Sequence, residues 1–144
     1  LALPSSMILI IGGVHQAINP SLPIFRPNAE VAAFGYLQHN ATTDDVLLAA
    51  YETGNASPAW AATFVLIGHG PESVGIKYLQ PRVNAFYEKE TRDAERLILI
   101  EEFGIDYIFW GPHERALGEW APDQAGYLEP VYDQSGYAIY RTRP

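Results

Sequence analysis

Cysteine is absent from the 144 residues of this chain. Disulfides, thiolate catalysis and cysteine-ligated zinc are therefore excluded, and a metal ion would need histidine and carboxylate ligands. Basic residues are few as well: nine stand against 17 acidic ones, the formal net charge is −8, and they form no stripe along the sequence. This balance argues against nucleic acid and anionic membrane surfaces as partners through bulk electrostatics.

Long apolar runs are also missing, because none reaches the roughly 18 residues that a membrane-spanning helix needs. The first residues, LALPSSMILIIGGVH, begin with neither an initiator methionine nor the basic segment of a signal peptide. We expect the chain to be a piece of a longer protein, cut after an apolar segment. Six prolines and glycines predict that residues 1–27 form an extended, membrane-proximal lead-in.

What the chain does contain is typical of one globular domain, expected to span residues 28–144. Hydrophobic residues make up 48% of the chain and charged residues 18%, and a chain of this length can bury a sizeable core without disulfides. Three continuous apolar runs have the length of buried strands. They are residues 45–51, 63–69 and 105–111.

Helix-forming segments connect these runs. Asn28 is predicted to be the N-cap of a first helix, and a short helix is expected to begin at Ser57. Pro81 predicts an interruption between two further short helices. The last connection is expected to be a helix that Thr91 caps and Gly104 ends.

The C-terminal residues 128–142 consist of two alternating runs joined by a turn, in which Gly136 suits a positive φ. This pattern predicts an antiparallel hairpin. The whole order predicts an α/β fold, a two-layer or three-layer sandwich with a mostly parallel, Rossmann-like sheet and the hairpin at its edge.

If the three apolar runs are parallel, their carboxyl ends bring three polar loops to one edge of the sheet, where ligands bind in open α/β folds. These loops are residues 52–55, 68–73 and 111–115. Seven side chains of these loops, together with Lys77 one helical turn beyond Ser73, are therefore candidate ligand-binding residues. They are Glu52, Thr53, Asn55, His69, Glu72, Lys77, His113 and Glu114.

The glycines on either side of His69 allow a phosphate-binding interpretation, since backbone N–H groups approach an anion most closely where side chains are absent. Two neighbours argue against it. Pro71 has no N–H to donate, and Glu72 adds a negative charge where the phosphate would lie.

A metal site would combine His69 and Glu72 with His113 and Glu114 of the next loop. A histidine-carboxylate pair acting in catalysis would need a nucleophile, for which Ser73 is a candidate, although no GxSxG motif is present. The structural alternative is a tight turn at a strand end, in which His69 bonds a neighbouring loop and Glu72 caps a helix.

Aromatic residues have two expected roles. Trp110 and Tyr107 fall on a predicted strand and are expected in the core. Trp60 and Trp120 are candidates for stacking on a sugar, with packing under a loop as the alternative.

Two short sequences, Asn40-Ala41-Thr42 and Asn55-Ala56-Ser57, match the acceptor pattern of N-glycosylation. This pattern has a consequence only in a compartment that glycosylates proteins.

Several segments occur in one order: LALPSS, AAFGYLQHN, DVLLAAYETGN, VLIGHGPES followed by Lys77, NAFYE, DAERLILIEEFGIDYIFWGPHERALG and PVYDQSGYAIYR. In this the chain resembles, from about residue 28 onward, the C-terminal part of bacterial polytopic membrane proteins of the glycosyltransferase C or dolichyl-phosphate-mannose mannosyltransferase-like class. Seven positions match those that recur in the family: Thr53, Gly54, Asn55, Gly68, His69, Glu72 and Lys77. The chain departs from the family in having Gly70-Pro71 where a bulky aromatic residue often stands, and Ser73 in place of threonine.

The resemblance implies an extracytoplasmic domain that follows the last membrane span of an integral membrane protein. Its partners would be the transmembrane part of the same polypeptide and a lipid-linked sugar or an acceptor. The catalytic carboxylate of such enzymes usually lies in a different loop, so we expect this chain to assist binding, with no catalytic residue, metal or cofactor of its own. Two alternatives stay open: a structural or protein-interaction domain, and a free-standing metal-dependent hydrolase that uses His69, Glu72 and His113.

Overall fold

The computed structural model describes residues 3–21, 25–68 and 75–143. Its helices are α1 (Leu3–Ile18), α2 (Asn28–Asn40), α3 (Tyr51–Ala56), α4 (Ile76–Phe86), α5 (Asp93–Phe103) and α6 (Pro112–Leu117). Its strands are β1 (Val46–Leu48), β2 (Phe64–Val65), β3 (Ile105–Trp110), β4 (Leu128–Gln134) and β5 (Tyr137–Thr142). Short 3-10 turns follow α3 at Ser57–Ala59 and precede β4 at Pro122–Gln124.

The five strands form one sheet in the order β2-β1-β3-β5-β4. β1 is parallel to both β2 and β3, whereas β5 is antiparallel to both β3 and β4. The predicted α/β class and the antiparallel hairpin at the edge are confirmed. The sheet is mixed and not mostly parallel, because the hairpin returns beside β3 and makes half of the pairings antiparallel. The structure does not support a Rossmann-like description.

The core lies on both faces of the sheet, since successive strand residues point to opposite sides. Leu48 and Ile108 belong to a cluster with Val83 and Leu99 of α4 and α5. Their chain neighbours Leu47 and Phe109 belong to a second cluster that contains Phe34 and Leu37 of α2. Helices therefore cover both faces, which gives three layers.

The hairpin turn has the backbone that was expected. Ser135 and Gly136, which separate β4 from β5, have φ values of 52° and 81°. Two consecutive positive φ values are typical of a tight hairpin turn whose twist matches that of the strands.

The prediction of an extended lead-in is wrong, because residues 3–18 form α1. Pro4 lies in the first turn, where its missing N–H has no helical partner to lose. Gly12 and Gly13 lie in the helix interior and cost about 1 kcal/mol each relative to alanine, which weakens a helix without breaking it.

The predicted interruption at Pro81 is also wrong. Pro81 lies inside α4, on its exposed side. The helix continues because Val83 and Phe86 pack into the core on the opposite side. Burial of two large side chains contributes about 1.5–3 kcal/mol each, enough to offset the roughly 3 kcal/mol that an interior proline costs.

The strands β1 and β2 are shorter than the apolar runs that predicted them. Ala49 and Ala50 are fully buried but lie beyond the end of β1, and α3 begins directly after them. The apolar run therefore predicts which residues are buried, but it does not predict the length of the strand. The predicted loop 52–55 belongs to α3 and is helical.

Two observed N-caps differ by one residue from the predicted ones. Asn28 is the first residue of α2 and not its N-cap, and Arg92, not Thr91, is the N-cap of α5. Gly104 ends α5 with a φ of 58°, as predicted.

Candidate functional site

The carboxyl ends of β1, β2 and β3 lie at the same edge of the sheet, because these strands are parallel neighbours. The chain continues from β1 into α3 and from β3 into α6. Both segments therefore meet at this edge, which we call the rim. The predicted convergence of residues 52–55 and 111–115 is confirmed in this respect.

Glu114 joins the two segments at the rim. Its Oε1 accepts a hydrogen bond from the N–H of Ala50 at 2.9 Å, and its Oε2 accepts one from the N–H of Gly111 at 2.9 Å. The second bond is the one that a glutamate at the third helical position makes in a capping box. Both carboxylate oxygens are thus engaged by backbone donors of the chain itself.

The environment of Glu114 is apolar enough to affect its ionisation. The side chain is fully buried, and this burial raises the pKa of the carboxyl, while the bonds from Ala50 and Gly111 oppose the rise. The Thr53 hydroxyl also opposes it, although its position does not meet the geometry of a regular hydrogen bond. The arrangement favours a structural role for Glu114 and Thr53.

The buried side chain of Tyr87 also connects β1 and β3 near the rim. Tyr87, directly after α4, directs its hydroxyl at the carbonyl oxygens of Leu48 (3.1 Å) and Phe109 (3.2 Å), near the ends of β1 and β3. Burial raises the pKa of this hydroxyl well above its ordinary value, so it stays protonated and donates. Sequence reasoning did not single out Tyr87, and its place in a helix-forming segment carries no signal of this contact.

Two glycines let backbone segments touch at the rim. A Cβ on Gly54 of α3 would lie 2.0 Å from the carbonyl oxygen of Ile67, and a Cβ on Gly68 would lie 2.7 Å from that of Gly54. No side chain fits at either position. The described part of the loop after β2 therefore uses its first glycine for packing against α3.

The predicted ligand-binding residues have different settings. Glu52 and Asn55 on α3 and Lys77 at the start of α4 are exposed, and His113 is half-buried. Thr53 and Glu114 are fully buried. His69 and Glu72, with Ser73, lie outside the described residues. Glu52, Asn55 and Lys77 are thus accessible to solvent, and their binding role stays a prediction.

The metal hypothesis has little support in the part of the chain that the structure describes. No group of three or more histidine, cysteine, aspartate and glutamate side chains is placed there to share an ion. Glu114 is directed at backbone donors, as described above. Two of the four proposed ligands, His69 and Glu72, lie outside the described residues.

Arg26 and Glu30 form an ion pair next to the rim that the sequence reasoning missed. Arg26 donates to Glu30 at 2.7 Å and to the carbonyl oxygen of Glu52 at 3.1 Å, and Glu30 is buried. Arg26 had been assigned to the lead-in, yet it contacts α3. The spacing of four residues between an arginine and a glutamate at a helix start is the signal that would have indicated the pair.

The tryptophans that were candidates for sugar stacking pack within the fold. Trp120 is buried, and the guanidinium of Arg96 lies 4.4 Å from its ring centroid. Trp60 is half-buried, with its ring 5.5 Å from that of Phe34 in a stacked arrangement. A polar cleft of about 550 Å³ lies beside Trp120 and is also lined by Asp93 and Arg96 of α5. Packing under neighbouring segments is the alternative that the structure favours.

Arg96 is a further residue that sequence reasoning did not identify. It is buried, and it donates to the carbonyl oxygen of Phe86 at 2.8 Å and to Asp93 at 3.0 Å. The sequence does place Arg96 three residues before Leu99, and this spacing puts both side chains on the same, buried face of α5. Its donors hold α5 against the end of α4.

Within residues 3–21, 25–68 and 75–143, no helix has both the length and the hydrophobicity that crossing a bilayer requires.

Neither a protein-family model nor a curated protein matches the chain. Among solved structures, the fold is similar to the crystal structure of the C-terminal globular domain of an oligosaccharyltransferase from Archaeoglobus fulgidus, with a TM-score of 0.57 and 10% sequence identity. The similarity covers 78% of this chain and 95% of that domain. At this identity it shows the fold alone. It is consistent with the predicted likeness to a glycosyltransferase-related domain, and it gives no support for a bacterial origin.

Proposed function

We propose that this chain is an extracytoplasmic, non-catalytic domain of a membrane-embedded, glycosyltransferase-like protein, and that it assists the binding of a lipid-linked sugar or an acceptor. The observation that carries the proposal is the fold, because it is similar to that of the C-terminal globular domain of an oligosaccharyltransferase over 95% of that domain. The resemblance in sequence motifs points to the same class independently of that comparison.

Helix α1 supports the membrane context. Seven large apolar side chains of α1 are more than half exposed: Met7, Ile8, Leu9, Ile10, Ile11, Val14 and Ile18. The helix contains no aspartate, glutamate, lysine or arginine. A helix that is apolar all round is stable where protein or lipid covers it. We propose that α1 is embedded in the membrane and joins the domain to the transmembrane part of the same polypeptide.

The rim supplies the proposed contacts. Glu52 and Asn55 offer a carboxylate and an amide that can bond sugar hydroxyls, and Lys77 offers a positive charge for a phosphate. His69, Glu72 and His113 complete the proposed set. Glu114 bonds the backbone at the starts of α3 and α6, so that the exposed side chains are presented on elements held in position.

The decisive experiment measures sugar transfer by the full-length protein that contains this chain. Asn55→Ala, Lys77→Ala, His69→Ala and Glu72→Ala are expected to reduce transfer at unchanged expression and folding, because each removes a proposed contact. Glu101→Ala is the matched control, because this exposed residue near the end of α5 lies close to the start of β3, at the opposite edge of the sheet, and it is expected to leave transfer unchanged. Unaltered transfer in all four rim variants would reject the ligand role.

A structural or protein-interaction domain is the second candidate. The observation that favours it is the use of Glu114 and Tyr87 at the rim to bond the fold's own backbone. In that case the rim variants keep full transfer, and loss follows only from variants that unfold the domain. The metal-dependent hydrolase is tested by metal analysis of the purified chain, since stoichiometric zinc or manganese would support it.

A further inference from the structure

The two N-glycosylation patterns of the chain lie in different structural settings. We propose that Asn40 accepts a glycan on the folded protein, that Asn55 does not, and that the donor is an oligosaccharide linked to a lipid phosphate. The inference rests on the proposed extracytoplasmic location, because a chain meets an N-glycosylating enzyme only on that side of the membrane.

Asn40 lies where the chain leaves a helix. It is the last residue of α2, and Ala41 follows with φ −109° and ψ 159°, an extended conformation. Asn40 and Thr42 are both exposed. In an extended chain, side chains two residues apart project to the same side. Release of one residue from the helix end thus presents the amide and the hydroxyl together to an enzyme.

The side-chain bonds made by Asn40 and Thr42 are local and exposed. The Asn40 Nδ2 donates to the carbonyl oxygen of Tyr36 at 2.8 Å, and the Thr42 hydroxyl donates to Asp45 at 2.9 Å. Water can replace both partners when an enzyme binds, and helix ends open readily. The hydroxyl of Tyr107 also donates to the backbone carbonyl oxygen of Asn40 at 3.2 Å, a bond that involves neither the Asn40 amide group nor the Thr42 hydroxyl.

Asn55 has an exposed side chain but an inaccessible partner. Ser57 is fully buried and begins the 3-10 turn after α3. Residues two apart on a helix point in nearly opposite directions, so the Asn55 amide and the Ser57 hydroxyl do not share a face. Exposure of Ser57 would require α3 to leave its backbone contact with Ile67. The fold therefore hides half of this acceptor sequence.

Transfer of the oligosaccharide to Asn40 is a substitution at the anomeric carbon and needs no oxidant or reductant. The Asn40 Nδ2 attacks the anomeric carbon of the oligosaccharide, and a carbon–nitrogen bond forms. The bond from that carbon to the phosphate oxygen breaks, and its electron pair leaves with the lipid phosphate. One amide proton passes to a base of the transferring enzyme.

The test uses the folded chain, a purified oligosaccharyltransferase and a lipid-linked oligosaccharide, with intact mass and peptide mapping as readout. The unmodified sequence and Asn55→Gln are expected to gain one glycan, and so is Thr42→Ser. Asn40→Gln and Thr42→Ala are expected to gain none. Peptides of residues 36–46 and 51–61 serve as unfolded controls, and both are expected to be glycosylated.

A glycan on Asn55 of the folded chain, or no glycan on Asn40, would overturn the proposal. Enzyme and donor are added to the purified protein, so the result does not depend on where the chain lies in a cell. A negative glycosylation result therefore does not contradict the proposed function. A negative result in the sugar-transfer assay likewise does not contradict the glycosylation of Asn40. Thermal unfolding of each variant checks that the substitution has not changed the fold.

Discussion

At the residue scale, the stability of the rim depends on fully buried polar side chains. Glu114 accepts two backbone bonds from segments that are 64 and three positions away in the sequence. A buried group that loses such bonds costs its full desolvation free energy, whereas an exposed group exchanges them with water. The rim is therefore sensitive to single atoms of Glu114 and Tyr87.

Glu114→Gln is expected to lower the free energy of unfolding by about 1–3 kcal/mol, because the amide group opposes one of the two N–H donors. Glu114→Ala is expected to cost more, since it leaves both donors unsatisfied and opens a cavity. Urea unfolding measures both. Glu119→Gln, at an exposed position, is the control and should change stability by less than about 0.5 kcal/mol.

Glu114 also makes stability depend on pH. Burial raises the pKa of its carboxyl from an ordinary value of 4.5. Its contribution to stability is thus fully present below the unfolded pKa and is lost as pH rises through the folded pKa. The difference in unfolding free energy between the unmodified chain and Glu114→Gln should therefore shrink as pH rises. A difference that grows with pH would show that the ionised carboxylate is the favoured state.

Tyr87→Phe is expected to lower the free energy of unfolding by about 1–3 kcal/mol, because it removes the buried donor shared by Leu48 and Phe109. Tyr78→Phe is a matched control: its hydroxyl accepts from Arg82, but the side chain is 64% exposed. It should change stability by less than about 0.5 kcal/mol. Equal effects in thermal unfolding of the two variants would contradict the role assigned to Tyr87.

At the element scale, the position of α3 depends on the absence of a side chain at Gly54. Gly54→Ala is expected to destabilise the chain by at least about 2 kcal/mol, because its Cβ would overlap the carbonyl oxygen of Ile67. Gly35→Ala in α2 is the opposite case, because no atom of the described residues that could obstruct the new Cβ lies within 4 Å of it. It should stabilise the chain by about 0.5–1 kcal/mol through helix propensity. Denaturant unfolding of both variants checks the pair.

The elements also show where sequence patterns suffice. The apolar runs predicted the three parallel strands, and Gly104 and Gly136 predicted a helix end and a hairpin turn, because these signals are local. The length of β1 and the continuity of α4 through Pro81 depend on what packs against them. The same holds at the rim: Glu114 was identified as a rim residue, but its bond to Ala50 is a product of the sheet order.

At the scale of the whole molecule, α1 differs from the rest in leaving its apolar side chains uncovered. The chain is expected to float with phosphatidylcholine vesicles, whose zwitterionic surface does not repel a net charge of −8. Replacement of Ile8, Leu9 and Ile11 by glutamine should leave it in the soluble fraction. Leu97→Gln and Ile98→Gln, also at exposed apolar positions, should float like the unmodified chain.

Vesicle binding that persists after the α1 substitutions would place the contact elsewhere on the chain and contradict the membrane role of α1. The unfolding free energy of both sets of variants should match that of the unmodified chain, because these side chains are exposed. A loss of stability in the α1 variants would mean that α1 packs against the domain.

The two outer strands of the sheet have a further consequence for how copies of this chain behave when they are crowded. β2 has only two residues, and β4 contains Pro130, the charged Glu129 and Asp133, and a register shift between Pro130 and Tyr132. Short, charged or proline-containing edges resist the addition of a foreign strand. Neighbouring copies held at high density on one surface would therefore stay separate at their sheets and would not polymerise into fibres.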